Sequence, residues 1–441
     1  MAIHLVNILT NLRRSAFVKN VFIMMSGSVA SQVVGFALIP IISRLYSPAD
    51  FGVAGSFFAV LGVIASGVTL GYSQAIVLPK EKKDAINLFI LSCASTGLIT
   101  ACCLAVCLLA PTFLQDLMKT PNIWMLALLV VAILVSGLNI ACSSWCVRVK
   151  AFKDTSASQV IRGLSSNGSQ VALGYLKGGA LSLVFGAIVG ELLASLNVAR
   201  VLFRDIGALR RDIRWVRIKQ LAKDYRDFPM YSSTMEVINS LSQGLPVLLL
   251  SQFYGIAVAG AYAFGMRILS APTGLILRSL REVLLQKATE TYNLGGRLMP
   301  LYVKFTLGLL MLAIFPSLVF FIWAPQLFTW IFGPQWLTAG EYARFLMLWL
   351  AFMFCNLPSV LLARILRVQR QAFFFDLVLL ALRTLVLIVG GMYMSALYTI
   401  ILLSLVGAVM NIIFIVIIGY ILMRHEGNAT WKGILNSKIL E

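Results

Sequence analysis

Seven arginines stand inside otherwise apolar stretches of this 441-residue chain: Arg162, Arg200, Arg267, Arg278, Arg281, Arg344 and Arg383. A charge at the middle of a bilayer costs about 2.5–3.5 kcal/mol on insertion scales, so each one asks for a physical reason. Arg200, Arg278 and Arg281 fall within about two helical turns of one end of their stretches, and Arg344 lies near the opposite end; long side chains there snorkel to water. Arg267 and Arg383 lie deeper, each at least roughly 15 Å of helix from either end, and Arg162 is intermediate. An arginine at such depth stays charged, and its planar fork donates paired hydrogen bonds to an oxyanion such as a phosphate. The deep acids are Glu191 and Glu236, with Asp376 nearer an end. Intramembrane carboxylates relay protons, bind Na⁺ or neutralise arginines. Asp376 and Arg383 share a helix face but stand about 10.5 Å apart along it, which argues against direct pairing.

Such charges need helices that cross a membrane to carry them. The composition provides these: 60% of residues are hydrophobic and 12% charged, about half the charged share of a soluble domain. Charges and Pro/Gly punctuation cut the chain into runs near the ~20 residues that a bilayer requires. The expected spans are 20–43, 52–77, 85–110, 122–147, 156–176, 180–203, 227–254, 257–286, 301–324, 340–366, 371–394 and 397–423. The chain therefore reads as an all-α polytopic membrane protein of about twelve transmembrane helices. The run from Val21 to Ile42 is longer than the apolar core of a signal peptide, about 7–15 residues, so it reads as a retained first span. The separators Lys177-Gly178-Gly179, Tyr254-Gly255-Ile256 and Met394-Ser395-Ala396 force tight antiparallel hairpins.

The formal net charge of +19 is a topology signal rather than a nucleic-acid footprint, because the basic residues lie in short loops between apolar runs. With the N-terminus inside, 26 Lys/Arg fall on the cytoplasmic side and three (Arg44, Lys119, Lys177) outside. That split predicts an inner-membrane protein with both ends in the cytoplasm. The expected organisation is a cytoplasmic N-terminus (1–19), a six-span lobe (20–203), a basic amphipathic linker (204–226), a second six-span lobe (227–423) and a cytoplasmic tail (424–441). Leu209, Ile213 and Val216 in the linker recur at helical spacing, which places this segment on the anionic inner leaflet.

Other residue types exclude other chemistry. The seven cysteines all fall in apolar stretches without a metal-ligand spacing, and the two histidines, His4 and His425, stand near the ends. There is no Walker motif, and the expected outer loops are short and acid-poor, so an enzyme is rejected and no cofactor is expected. Asn139, Asn197, Asn239, Gln243 and Asn411 read as glue between helices. Trp124, Trp323, Trp330 and Trp336 read as an interfacial aromatic belt.

The two halves echo each other: Pro40 precedes Tyr46 and Phe51-Gly52, as Pro246 precedes Phe253-Tyr254-Gly255. Six spans per half keep equivalent helices in one orientation, as in parallel repeats. Three segments carry a resemblance. Ser43-Arg44-Leu45-Tyr46-Ser47-Pro48-Ala49-Asp50-Phe51-Gly52 resembles the first-hairpin signature of Wzx-type polysaccharide flippases, and Gly260-Ala261-Tyr262-Ala263-Phe264-Gly265-Met266-Arg267-Ile268-Leu269 resembles their eighth-span motif. Ile331-Phe332-Gly333-Pro334-Gln335-Trp336-Leu337-Thr338-Ala339 is similar to their motif before span ten.

The resemblance implies membership of the multidrug/oligosaccharidyl-lipid/polysaccharide (MOP) exporter superfamily: two six-helix lobes around a central cavity, working by alternating access. It also implies an undecaprenyl-pyrophosphate-linked oligosaccharide as substrate, carried between leaflets for a cell-surface polysaccharide such as O-antigen. Membrane lipids are partners on this reading, and a polymerase or ligase of the same pathway is a further candidate. On it, Arg162, Arg267 and Arg383 line a cationic cavity for the pyrophosphate, and Glu191, Glu236 and Asp376 serve H⁺ or Na⁺ coupling or charge pairing. The rival within the superfamily is a drug/cation antiporter; three candidate cavity arginines against two deep glutamates favour an anionic lipid. Coupling is not obligatory, since an anionic headgroup leaving an inside-negative cell runs downhill by about 2.3 kcal/mol per charge per 100 mV.

Overall fold

A computed structural model describes residues 16–120, 122–209, 212–294, 296–366 and 368–437. Most of the expected cytoplasmic N-terminus and the last residues of the tail lie outside these, as do the side chains of Arg278 and Leu209. Every described element is helical, and a helix covers each of the twelve expected stretches. Eight helical segments among the described residues are long and apolar enough to cross a membrane: Pro48–Gly67, Lys82–Leu109, Ile123–Arg148, Gly179–Asp205, Met299–Phe332, Pro334–Ile365, Arg370–Tyr393 and Ala396–Glu426.

By its internal contacts the chain forms two compact units, 1–260 and 261–441. The first contains α1 (Ala16–Leu45), α2 (Pro48–Gly67), a four-residue α3 (Tyr72–Ala75), α4 (Lys82–Leu109), α5 (Pro111–Leu117) and α6 (Ile123–Arg148). It continues with α7 (Phe152–Tyr175), α8 (Gly179–Leu209), α9 (Trp215–Asp224), a π-turn (Phe228–Ser233), α10 (Thr234–Tyr254) and the start of α11 (Ile256–Asn293). Helix α7 packs along both α1 and α8, α6 along α8, and α10 along α2. Helix α10 falls in the first of these units.

Helix α7 is not among the eight because it is rich in Ser, Asn and Gln, and several of its polar groups bond across to α8 or receive bonds from it. Ser158 donates to the Ala194 carbonyl (2.8 Å), Gln170 to that of Leu183 (3.1 Å), and Asn197 of α8 donates back to that of Asp154 (3.0 Å). Interhelical hydrogen bonds of this kind hold helices together where apolar association has no driving force.

Two expected spans are interrupted. The stretch 52–77 breaks after Gly67, where Leu70 (φ 50°) and Gly71 (φ 73°) turn the backbone left-handed before α3. The stretch 340–366 divides at Asn356 into α13 (Leu337–Cys355) and α14 (Leu357–Ile365), with Pro358, which lacks an N–H, in the first turn of α14.

The linker also differs from expectation. Helix α8 runs on to Leu209, so the amphipathic helix begins at Trp215 instead of Arg204. It is clamped to α4. The Arg217 fork donates to both Asp84 oxygens at 2.8 Å, and Asn87 bonds the backbone of Asp212 and Arg214, each at 3.0 Å. That carboxylate holds the Arg217 guanidinium above its ordinary pKa. Ile218 and Leu221 are buried beneath the helix.

The second unit comprises the rest of α11, α12 (Met299–Phe332), a 3₁₀ turn (Pro334–Trp336), α13, α14, α15 (Gln369–Tyr393) and α16 (Ala396–Ser437). Helices α12 and α13 pack side by side, and α16 runs along α13 and α15. Its core holds buried polar seams: Tyr302 donates to the Ile415 carbonyl (2.7 Å) and shares a hydrogen bond with Ser359 (2.9 Å), and Asn356 donates to Asn411 (2.9 Å). The seams place Asn411 as helix glue. Trp336 corrects an expectation: it is fully buried and stacked on Phe264 with ring centroids 3.9 Å apart, so it is no part of an aromatic belt. Trp124, Trp323 and Trp330 are exposed.

Candidate functional site

In the first unit, three neighbouring helices bring one charged cluster together. Asn139 of α6 donates Nδ2–H to Glu191 Oε1 of α8 at 2.5 Å, and Arg162 of α7 donates Nη1–H to Glu191 Oε2 at 3.3 Å. The Glu191 side chain is 22% exposed, that of Arg162 52%. The carboxylate is thus the enclosed centre, and the arginine closes it while keeping half its surface open. Asn139, expected as helix glue, is glue to a carboxylate.

Glu236 lies in the first turn of α10 and accepts from Gln74 Nε2 of α3 at 2.6 Å. Both residues are exposed, and Asn239 and Gln243 bond one another one turn on (3.2 Å). Gln74 was not singled out in the sequence, because nothing local marks it. It reaches Glu236 from α3, past the break after Gly67.

In the second unit, Arg383 of α15 is only 6% exposed, and its guanidinium carbon lies 4.3 Å from the ring centroid of Trp349 on α13. A cation over an indole face is a favourable electrostatic pair, stronger when desolvated. Tyr262 of α11 and Asp376, two turns earlier on α15, are within electrostatic reach. Helix α16 makes room for the ring through Gly407, where a Cβ would stand 2.6 Å from Trp349 Cδ1. Arg267 is half-buried on α11 of the same unit. The three candidate arginines therefore divide, Arg162 in the first unit and Arg267 and Arg383 in the second. Arg344 reaches the Ile322 carbonyl at 3.5 Å. Trp349 was missed in the sequence, although it had a signal: it stands well inside an expected span rather than at the membrane edge where tryptophans collect. Among the described residues no three His, Cys, Asp or Glu side chains gather as a metal site would need.

Residues 41–341, more than half of the chain, match the family described as "Polysaccharide biosynthesis protein". The chain belongs to this family. Its fold matches that of a lipid II flippase, MurJ, in an inward closed conformation (TM-score 0.69, 14% identity, 90% of this chain and 87% of that one). It also matches a multidrug resistance MATE family transporter of the MOP superfamily, inward-facing (TM-score 0.63, 16% identity, 90% and 96% covered) and outward-facing (TM-score 0.61, 14% identity, 91% and 94% covered). No curated protein sequence matches it. The chain is a multi-pass membrane protein of the polysaccharide biosynthesis family, with the fold that these MOP superfamily and flippase structures share.

In this polysaccharide biosynthesis protein the three sequence motifs are sites of helix packing. Ser47 and Asp50 form a reciprocal capping box at the start of α2, with Pro48 in its first turn, while Tyr46 O–H donates to the Gln170 carbonyl at 2.6 Å. Gly52 and Gly260 let α2 and α11 touch backbone to backbone. A Cβ at Gly52 would come within 1.9 Å of the Ile256 carbonyl oxygen, and one at Gly260 within 1.7 Å of the Pro48 carbonyl oxygen. In the second unit, Phe264 of the second motif stacks on Trp336 of the third and is edged by Phe328 and Phe332.

Proposed function

We propose that this transporter flips an undecaprenyl-pyrophosphate-linked oligosaccharide from the cytoplasmic to the periplasmic leaflet of a bacterial inner membrane, for an O-antigen-like surface polysaccharide. The observation that carries the reading is a polysaccharide-biosynthesis family match on a fold shared with a lipid II flippase. On this reading twelve helices form two six-helix lobes, 20–203 and 227–423, around a central cavity, with 204–226 as linker and both termini in the cytoplasm. Alternating access exposes the cavity to each leaflet in turn.

Arg162, Arg267 and Arg383 receive the pyrophosphate, whose paired oxygens suit guanidinium forks. The 3.3 Å bond between Arg162 and Glu191 favours charge pairing as the role of Glu191. Glu236, with its neutral partner Gln74, is the stronger candidate for H⁺ or Na⁺ coupling. Asp376 lies within electrostatic reach of Arg383 and tempers its charge. A polymerase or ligase that consumes the product outside would draw the reaction forward.

Mass spectrometry of lipid-linked saccharides in cells depleted of the protein tests the proposal. Accumulation of an undecaprenyl-pyrophosphate oligosaccharide, cleared when the protein is restored, is the expected result and names the sugar unit. The fold match to multidrug transporters keeps one rival, a drug/cation antiporter. Unchanged lipid intermediates with raised drug sensitivity would decide for it.

A further inference from the structure

Arg383 presents a difficulty for any role in binding. The residue is only 6% exposed, yet a ligand must reach it. The arrangement around it resolves this. Trp349 lies across the guanidinium at 4.3 Å, and the ring fits there because α16 carries glycine at position 407. Trp349 itself is 4% exposed, and its indole N–H has no hydrogen-bond partner among the described residues. Buried indole N–H groups ordinarily find one. The ring is therefore held by its face and edges, and no hydrogen bond of its own N–H has to break when it turns.

We propose that Trp349 is a latch on Arg383: the indole face balances the buried guanidinium while the site is empty, and gives it up when a pyrophosphate arrives. The inference rests on the proposed role of Arg383 and adds how that role is controlled. The indole is the partner that yields because a charge-assisted, two-pronged bond to phosphate oxygens is stronger than a cation–π contact; the other neighbours of Arg383, Tyr262 and Asp376 among them, stay in place. Trp349 is then a positioning residue, coupling ligand arrival to a rearrangement between α13 and α15.

The test is fluorine NMR of the full chain labelled with 5-fluorotryptophan, with undecaprenyl pyrophosphate as the probe. The chain has eight tryptophans, and the resonance that disappears in Trp349→Phe is that of Trp349. Undecaprenyl pyrophosphate is expected to shift this resonance, the uncharged alcohol undecaprenol to leave it in place, and Arg383→Ala to remove the response. Native mass spectrometry reports in parallel whether the lipid is bound. Lipid bound with the Trp349 resonance unmoved overturns the latch and leaves the flippase reading standing. No binding of undecaprenyl pyrophosphate, together with unchanged lipid intermediates in depleted cells, overturns the flippase reading and the latch with it.

Discussion

Glu191 is a carboxylate packed among three helices, and its tolerance there comes from two donors on different helices. Asn139 and Arg162 each satisfy one of its oxygens. Glu191→Ala leaves both donors without their acceptor, a loss of about 1–3 kcal/mol. Arg162→Ala is expected to cost less, since Asn139 still serves the carboxylate and the arginine is half exposed. Thermal unfolding of the purified variants should rank them in that order; equal or reversed losses would mean that the cluster is not organised around Glu191. At Arg383 the expectation concerns function. Arg383→Ala should abolish transport while the protein is still expressed and inserted, and retained transport would remove Arg383 from the site.

The helices are joined through a small number of contacts that tolerate little change. Gly260 faces the Pro48 carbonyl so closely that no side chain fits without moving α11 off α2. Gly260→Val should lower stability by about 1–3 kcal/mol or more, the range for overpacking a close contact, as read by thermal unfolding in detergent. Glu426 of α16 performs a different task, accepting the backbone N–H groups of Leu298 (2.5 Å) and Met299 (2.9 Å) at the start of α12. A carboxylate there satisfies orphan donors and meets the positive end of the helix dipole. Glu426→Ala is expected to cost about 1 kcal/mol, and Glu426→Gln less, because the amide oxygen still accepts. A melting temperature unchanged in both variants would show that α16 does not cap α12.

For the whole molecule the decisive quantity is the charge that moves. A pyrophosphate-linked lipid carrying two negative charges outward gains about 5 kcal/mol at 100 mV, less any protein charge that moves with it. In proteoliposomes given a potassium gradient and valinomycin, flipping should speed up when the compartment holding the substrate is made negative and slow when the sign is reversed. Indifference to the sign would mean that protein charge compensates the lipid or that another gradient drives the cycle. If changing Na⁺ or pH at fixed voltage also changes the rate, Glu236 is the first carboxylate to replace.

Much of this protein was legible in its sequence, because the bilayer constrains a chain one segment at a time. Length, apolarity and the Lys/Arg asymmetry act locally, so the helical stretches, their sharp separators and the membrane class follow from composition and spacing. The three motifs pointed to the family for a similar reason: caps, prolines and glycines leave short-range signatures. Partnership was not legible. Glu191 lies 29 residues from Arg162 and 52 from Asn139, and Gln74 lies 162 from Glu236; no periodicity reports such distances. The broken span after Gly67, the linker clamped through Arg217 and Asp84, and the burial of Trp336 were likewise decided by neighbours from elsewhere in the chain. Arg383 is the clearest case. The sequence gives its type and its depth, but the indole that covers it comes from another helix and the glycine that admits the indole from a third. Its charge balance therefore exists only in the packed structure.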